Sequence, residues 1–425
     1  MTQVEPKEEA GLPLSTAATI FACFALAYFL SALIRAVVAT LAPVFSAELG
    51  LSAADLGLLA GAYFVGFAST QLPLGTALDR FGTKRVLLGF LALAVVGCVF
   101  FAQAQTFASL TAARVLVGMG VSACLMAPMT FFRRHFSARA QMRATSWMLM
   151  TGSFGMVAST LPVQWLLPLL GWRAIFWFIA ASLAVALLAI ARVVPADQRD
   201  ASALHGAVGE GGYREVFAHR AFLSLMPIGF FHYGGLVALQ ALWIGPWLVQ
   251  VCGWSPREAA QGLFAINLSM LVAFLAWGVL VPRLYARGWT AQVLIARGLP
   301  ASLAVLLISV VLGARSTAWL WALFCVGSTV VSLAQPALGQ AFASHLAGRA
   351  LTAYNLVIFL GVFAVQWAIG GLIDRLQAAG LGVEASYQGA FAALAAGCIA
   401  AYLWFLWFGD RPPRTVDNET SCQPS

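Results

Sequence analysis

LGTALDRFGTKR, residues 74–85, gathers Asp79, Arg80, Lys84 and Arg85 within seven positions of a chain in which 9% of residues are charged. The residues around it are of the opposite character. VLLGFLALAVVGCVFFAQA, residues 86–104, runs uncharged for about 20 positions, the length needed to cross the hydrocarbon core of a bilayer. Similar runs recur along all 425 residues, 61% of which are hydrophobic, and the mean hydropathy is +0.87. A water-soluble domain interrupts its apolar residues every second or third position to keep one face wet, so this composition excludes one. The charged stretch is a short loop between two membrane spans.

Twelve spans can be drawn, near 16–45, 56–78, 86–104, 107–132, 144–170, 174–194, 221–251, 259–281, 291–313, 318–343, 350–373 and 388–408. All are helix-length and none alternates in the manner of a membrane barrel, so the expected fold is an all-α integral membrane protein. The N-terminal MTQVEPKEEAGLP is acidic and lacks the basic start of a signal peptide, so the first span is expected to be retained. Seven scattered cysteines, mostly inside spans, argue against a disulfide framework or a metal site. Seventeen Lys and Arg fall on the N-terminus, the even-numbered loops and the C-terminus, against Arg173, Arg257, Arg315 and Arg375 on the other side, which predicts cytoplasmic termini. The net charge of +8 then reflects topology and anionic lipid headgroups, and no basic patch of the nucleic-acid-binding kind forms.

Topology alone explains basic residues in the 74–85 loop but not Asp79. Gly75 suggests close helix approach and Gly82 a tight turn. The pattern Gly75-x-x-x-Asp79-Arg80-x-Gly82-x-Lys84-Arg85 resembles the loop signature of the major facilitator superfamily, with Thr83 departing from the usual basic residue. Arg114-Val-Leu-Val-Gly118-Met-Gly120 in span four and Gly171-Trp172-Arg173-Ala174-Ile175-Phe176 before span six are similar to two further motifs of that superfamily. Sliding the chain against itself by 203 residues brings Pro43 onto Pro246, Gly50 onto Gly253, Ser52 onto Ser255, Asp55 onto Glu258, Gly75 onto Gly278 and Arg80 onto Arg283. The expected organisation is therefore a tail 1–15, a six-helix half 16–194, a polar linker 195–220, a second half 221–408 and a tail 409–425. The resemblance implies two pseudo-symmetric halves that rock about a midplane site. It also implies that Gly75, Asp79, Arg80, Gly82, Lys84 and Arg85 form a latch closing the cytoplasmic side.

The sixteen acids all fall at loops, tails or span edges, whereas Arg35 and Arg114 lie well inside spans one and four. A charge there is expensive and normally faces the bundle interior, so a net positive interior favours an anionic substrate. Arg35 with Pro43 also resembles the first span of the superfamily's organic-anion carriers, the anion:cation symporters and organophosphate antiporters, although embedded carboxylates and a span-seven arginine are missing. Helical spacing adds His232, Tyr233, Gln240 and Trp243 on span seven, Ser328, Ser332 and Gln335 on span ten, and Asn355 on span eleven as candidate substrate contacts. His232, the one histidine deep in a span, is the candidate for proton coupling.

The expected function is gradient-driven transport of a small organic solute, foremost an anion, by alternating access. The alternative is proton-linked movement of an amphiphilic or heterocyclic compound. Cuprous-ion transport, from Cys124, Met126, Met129, Met148, Met150 and Met156, and a non-transporting sensor rank lower. No hydrolytic or nucleotide-binding motif is present, so neither an enzyme nor a cofactor is expected. A monomer in a bacterial inner membrane, with substrate, lipid and a coupling proton or counter-substrate as partners and no nucleic acid, completes the expectation.

Overall fold

The computed structural model describes residues 13–196 and 212–408; most of the two tails and the centre of the linker, 197–211, lie outside the described residues. All regular structure among the described residues is helical. Twelve helices make the bundle: α1 Ser15–Leu49, α2 Ala53–Leu78, α3 Thr83–Gln103, α4 Phe107–His135, α5 Ala138–Ala158, α6 Leu161–Val193, α7 Arg220–Val251, α8 Pro256–Ala286, α9 Ala291–Arg315, α10 Ala318–Ala341, α11 Leu346–Ala378 and α12 Val383–Phe408. Eleven are long and apolar enough to cross a membrane. The exception, α5, carries Gln141 and Arg143 in its first turns, which suit a headgroup layer.

The span-five and span-six boundary differs from a simple helix count. At about 1.5 Å per residue, the 33 residues of α6 would reach about 50 Å, far more than one bilayer core. Gly171, with φ 70° and ψ 162°, divides it. Residues 161–170 therefore finish the crossing that α5 begins, after a break at Thr160 (φ −100°, ψ −109°), and 172–193 form the sixth crossing. Only glycine adopts such a φ without strain, which is why the turn carries it.

The internal repeat is visible in the chemistry of the helix starts. Gly50 and Gly253 both take positive φ, 63° and 71°. Two residues later Ser52 and Ser255 cap α2 and α8, each accepting from the backbone N–H of Asp55 or Glu258, whose carboxylate accepts in return from the serine N–H. The two halves thus begin their second helix with the same device.

Small residues set the helix spacing inside the first half. A Cβ on Gly118 would lie 2.0 Å from the Tyr63 carbonyl oxygen, and one on Gly120 would lie 2.3 Å from the Ala94 nitrogen. The R-x-x-x-G-x-G pattern of α4 is therefore a packing surface that admits α2 and α3 at backbone contact.

Between the halves, α2 packs on α11, α5 on α8 and α1 on α7. The end where α1 starts and α12 finishes is here the terminal end, the other the far end. Gly57 approaches the Gln366 carbonyl, Gly61 approaches Phe363, Gly245 approaches the Ala39 carbonyl and Gly370 approaches the Ala53 carbonyl. All four contacts sit in the far part of the bundle, so the molecule is closed there. The seam continues as Phe359 packs on Phe64 and Phe67, with ring centroids 6.1 and 4.4 Å apart. Gly75, read from sequence as a point of close approach, meets nothing within 4 Å. It lies towards the terminal end, outside the glycine contacts that close the far end. Gly82 does make the tight turn, at φ 80°.

Candidate substrate site

Arg35 occupies the middle of α1 and is partly exposed to the interior. Its Nη2 donates to the Met156 sulfur of α5 at 3.5 Å, and its buried Nε has no hydrogen-bond partner among the described residues. Thioether sulfur is a weak acceptor, so the guanidinium keeps most of its donor capacity for something else. Tyr28 of α1, Tyr63 of α2 and Tyr233 of α7 stand within its electrostatic reach. Tyr233 comes from the opposite half, so the group straddles the boundary about which the halves move. Gly152 and Gly155 let α5 close on α1: a Cβ at Gly152 would strike the Tyr28 ring at 2.5 Å, and one at Gly155 the Phe29 carbonyl at 2.3 Å. That approach delivers Met156 to Arg35.

Arg114 is fully buried. Its Nη1 donates to the Ile34 carbonyl at 3.1 Å, and its guanidinium lies 5.1 Å from the Tyr63 ring centroid. It therefore braces α1 one residue before Arg35. Its Nε and Nη2 lack hydrogen-bond partners among the described residues. No carboxylate among the described residues pairs with either arginine; the acids with visible partners act at the far end. Glu48 accepts from Trp172 Nε1 at 2.6 Å and pairs with Arg173. Glu384 accepts from the Ala314 N–H, and Asp374 from the N–H groups of Ala53 and Ala54. The centre of the bundle is consequently positive and aromatic.

The other candidates are spread over the second half. The shared face expected for His232, Gln240 and Trp243 assumes 3.6 residues per turn, but α7 carries π turns over Ile228–Tyr233, Leu239–Trp243 and Trp247–Val251, which rotate the register. Gln240 donates to Asn267 of α8 at 2.8 Å, while Trp243 donates to the Gln366 carbonyl of α11 at 3.1 Å. His232 is buried, and neither ring nitrogen has a partner among the described residues. On α10 a 3₁₀ turn, Thr329–Leu333, likewise interrupts the spacing. Ser328 bonds Ser302 of α9 at 2.5 Å, Gln335 donates to Asn355 of α11 at 2.6 Å, and Ser332 is half-buried. Arg35, Arg114 and Tyr233 are thus the candidates brought together. Tyr63 joins them without having been singled out in the sequence, and Met156, read there only as a soft metal ligand, joins them as an acceptor for Arg35; the glycine pair before Met156 was the available signal for that contact.

A polytopic bundle of two six-helix halves around a positive, aromatic centre defines a membrane transporter. The Major Facilitator Superfamily model matches residues 24–366, and the chain belongs to that superfamily. Among solved structures, the fold is similar to a bacterial homologue of the human lysosomal transporter Spinster in an inward-facing and occupied conformation, with TM-score 0.73 at 17% identity over 93% of this chain and 97% of that one. It is also similar to a D-xylose-proton symporter, with TM-score 0.74 at 14% identity over 92% and 98%. Among curated relatives, multidrug resistance protein MdtL of Escherichia coli O45:K1 (strain S88 / ExPEC) is 29% identical over 168 residues, 38% of this chain and 41% of the relative. The match spans about two fifths of that relative's length. The chain is a multi-pass membrane transporter, not an enzyme.

Proposed function

We propose that the chain moves amphiphilic or heterocyclic compounds outward, driven by a proton gradient, with both termini in the cytoplasm. The observation that carries the reading is the centre itself: a guanidinium with unused donors set among Tyr28, Tyr63, Tyr233 and Met156. Aromatic faces and thioethers accept apolar bodies of varied shape, while the arginine orients whichever end carries an acceptor. The partial likeness to MdtL, named for multidrug resistance, supports this class. A second reading, dedicated transport of small organic anions, is favoured by the lack of a carboxylate paired with Arg35 among the described residues. A cuprous ion fits poorly, because Met156, one of its supposed ligands, is turned to a cation. A thermal-shift screen of purified protein against organic anions, organic cations and uncharged heterocycles separates the readings. Amphiphilic aromatics should give the largest shifts; shifts confined to small anions favour the second reading, and shifts confined to cations contradict both.

His232 supplies the coupling in this proposal, as a buried imidazole with no hydrogen-bond partner among the described residues, whose protonation depends on which side is open. His232→Gln should abolish the pH dependence of transport while leaving ligand binding at fixed pH within about threefold. An unaltered pH profile removes His232 from coupling.

The 74–85 loop acts as the latch of the terminal end. Gly75 faces open space and Gly82 holds the turn, so the two halves have room to close on this loop in the opposite state. Asp79→Asn should shift the population towards the state closed at the far end and slow turnover. Unchanged labelling of terminal-end cysteine probes together with unchanged turnover contradicts the latch.

A further inference from the structure

At the far end, α11 of the second half ends against the start of α2 of the first half. The Asp374 carboxylate accepts from the Ala53 N–H through Oδ1 at 3.1 Å and from the Ala54 N–H through Oδ2 at 2.8 Å, across 321 and 320 positions of sequence. These two N–H groups belong to the first turn of α2, which has no intrahelical acceptor for them. Ser52 and Asp55 form a local capping box that serves the N–H groups of Ser52 and Asp55 and leaves those of Ala53 and Ala54 to Asp374. The carboxylate therefore adds an inter-half clasp beside a local cap that stays in place when the halves part.

The surrounding surfaces are cut to let the clasp form. Gln366, Gly370 and Asp374 follow one another at four-residue spacing on α11 and so share a face. On the partner helix, Gly57 meets the Gln366 backbone and Ala53 meets Gly370, where an added Cβ would approach within 2.4 and 2.2 Å. The backbones touch, and the charge sits at the end of the seam, facing the positive pole of α2.

The geometry points to Asp374 as a state-specific clasp that holds the far end closed and is released each time the transporter opens there. An interaction made in one state only biases the equilibrium by its own free energy, and here both partners stay intact when it breaks: α2 keeps its serine cap and Asp374 meets water. The two antiparallel helices α2 and α11 would then be fastened at opposite ends in opposite states, by Asp374 here and by the 74–85 loop there. The clasp does not depend on which compound is carried, so its test needs no substrate.

Spin labels at Gln105→Cys and Leu381→Cys, in a background without the seven native cysteines, report the far-end opening of ligand-free protein in nanodiscs by electron–electron distance measurement. Asp374→Ala should raise the ratio of open to closed populations about tenfold, equivalent to about 1.4 kcal/mol. Ala53→Pro removes the 3.1 Å donor from the other side, at a first-turn position preceded by extended Ser52, where proline preserves the helix. It should shift the populations in the same direction, and the double variant should shift less than the product of the two, because they break one clasp. Glu384→Gln removes a carboxylate from the same end that caps Ala314 within its own half, and should leave the distances as in the parent. Unchanged distances in both Asp374→Ala and Ala53→Pro, whatever their melting temperatures, overturn the inference. An equal shift in Glu384→Gln overturns it as well, by showing a general effect of charge.

Discussion

Arg35→Ala is expected to abolish measurable binding of the compound that most stabilises the parent protein. Loss of a charge-assisted contact in a desolvated cavity costs about 2–5 kcal/mol, on the order of 30-fold to several-thousand-fold in affinity. Lysine should rescue poorly, since it offers a point charge in place of a planar fork and must reach an acceptor flanked by Tyr28 and Tyr63. The fold should survive. Among the described residues Arg35 forms no ion pair, and the acceptors beside it, the Met156 sulfur and the Tyr28 hydroxyl, are uncharged, so its removal leaves no buried partner charge stranded. Binding within about threefold of the parent, measured by titration of monodisperse Arg35→Ala, makes the residue structural and leaves the proposed site without its polar anchor. Arg114 behaves differently: it bonds the Ile34 carbonyl and covers Tyr63, so its loss should appear first as reduced stability.

Gly118→Val is expected to have the largest effect on stability. The added Cβ would sit 2.0 Å from the Tyr63 oxygen and 2.8 Å from its carbonyl carbon, both backbone atoms that no rotamer change can move. Forcing α2 and α4 apart costs about 3 kcal/mol or more, at the upper end of overpacking penalties. It also withdraws Tyr63 from Arg114. The variant should melt well below the parent or fail to elute as a monodisperse species. Gly75→Ala, placed where nothing lies within 4 Å, serves as the comparison and should melt with the parent. Equal melting of Gly118→Val and the parent would mean that the α2–α4 contact is looser than this packing.

The reach of the sequence is clearest at particular residues. Spans could be drawn because hydropathy is local, and Gly171 fell between the fifth and sixth as drawn, where the structure gives it the positive φ that glycine takes without strain. The repeat was legible as Gly50/Gly253 and Ser52/Ser255, since capping chemistry is written within four residues. The register of α7 was not. Its π turns depart from the 3.6-residue period, and spacing arguments that assume a regular helix set His232, Gln240 and Trp243 on one face that the structure does not keep. Arg35 stood out as a charge in an apolar run, but its neighbours Tyr63, Met156 and Tyr233 lie on three other helices. Asp374 was legible only as an acid at a span edge, and its bond to Ala53 and Ala54 spans both halves. Local pattern finds the helices and the unusual charge; partners across the bundle depend on how the halves meet.

Tracer flux in proteoliposomes tests the transporter proposal most directly. Purified protein is reconstituted, loaded with the compound that gives the largest thermal shift, and subjected to an imposed pH gradient of either sign. Gradient-dependent movement of the compound, opposite in direction to the proton flow, lost in Arg35→Ala and insensitive to pH in His232→Gln, is the expected result. A flux that ignores the gradient, or is the same in Arg35→Ala as in the parent, would contradict it.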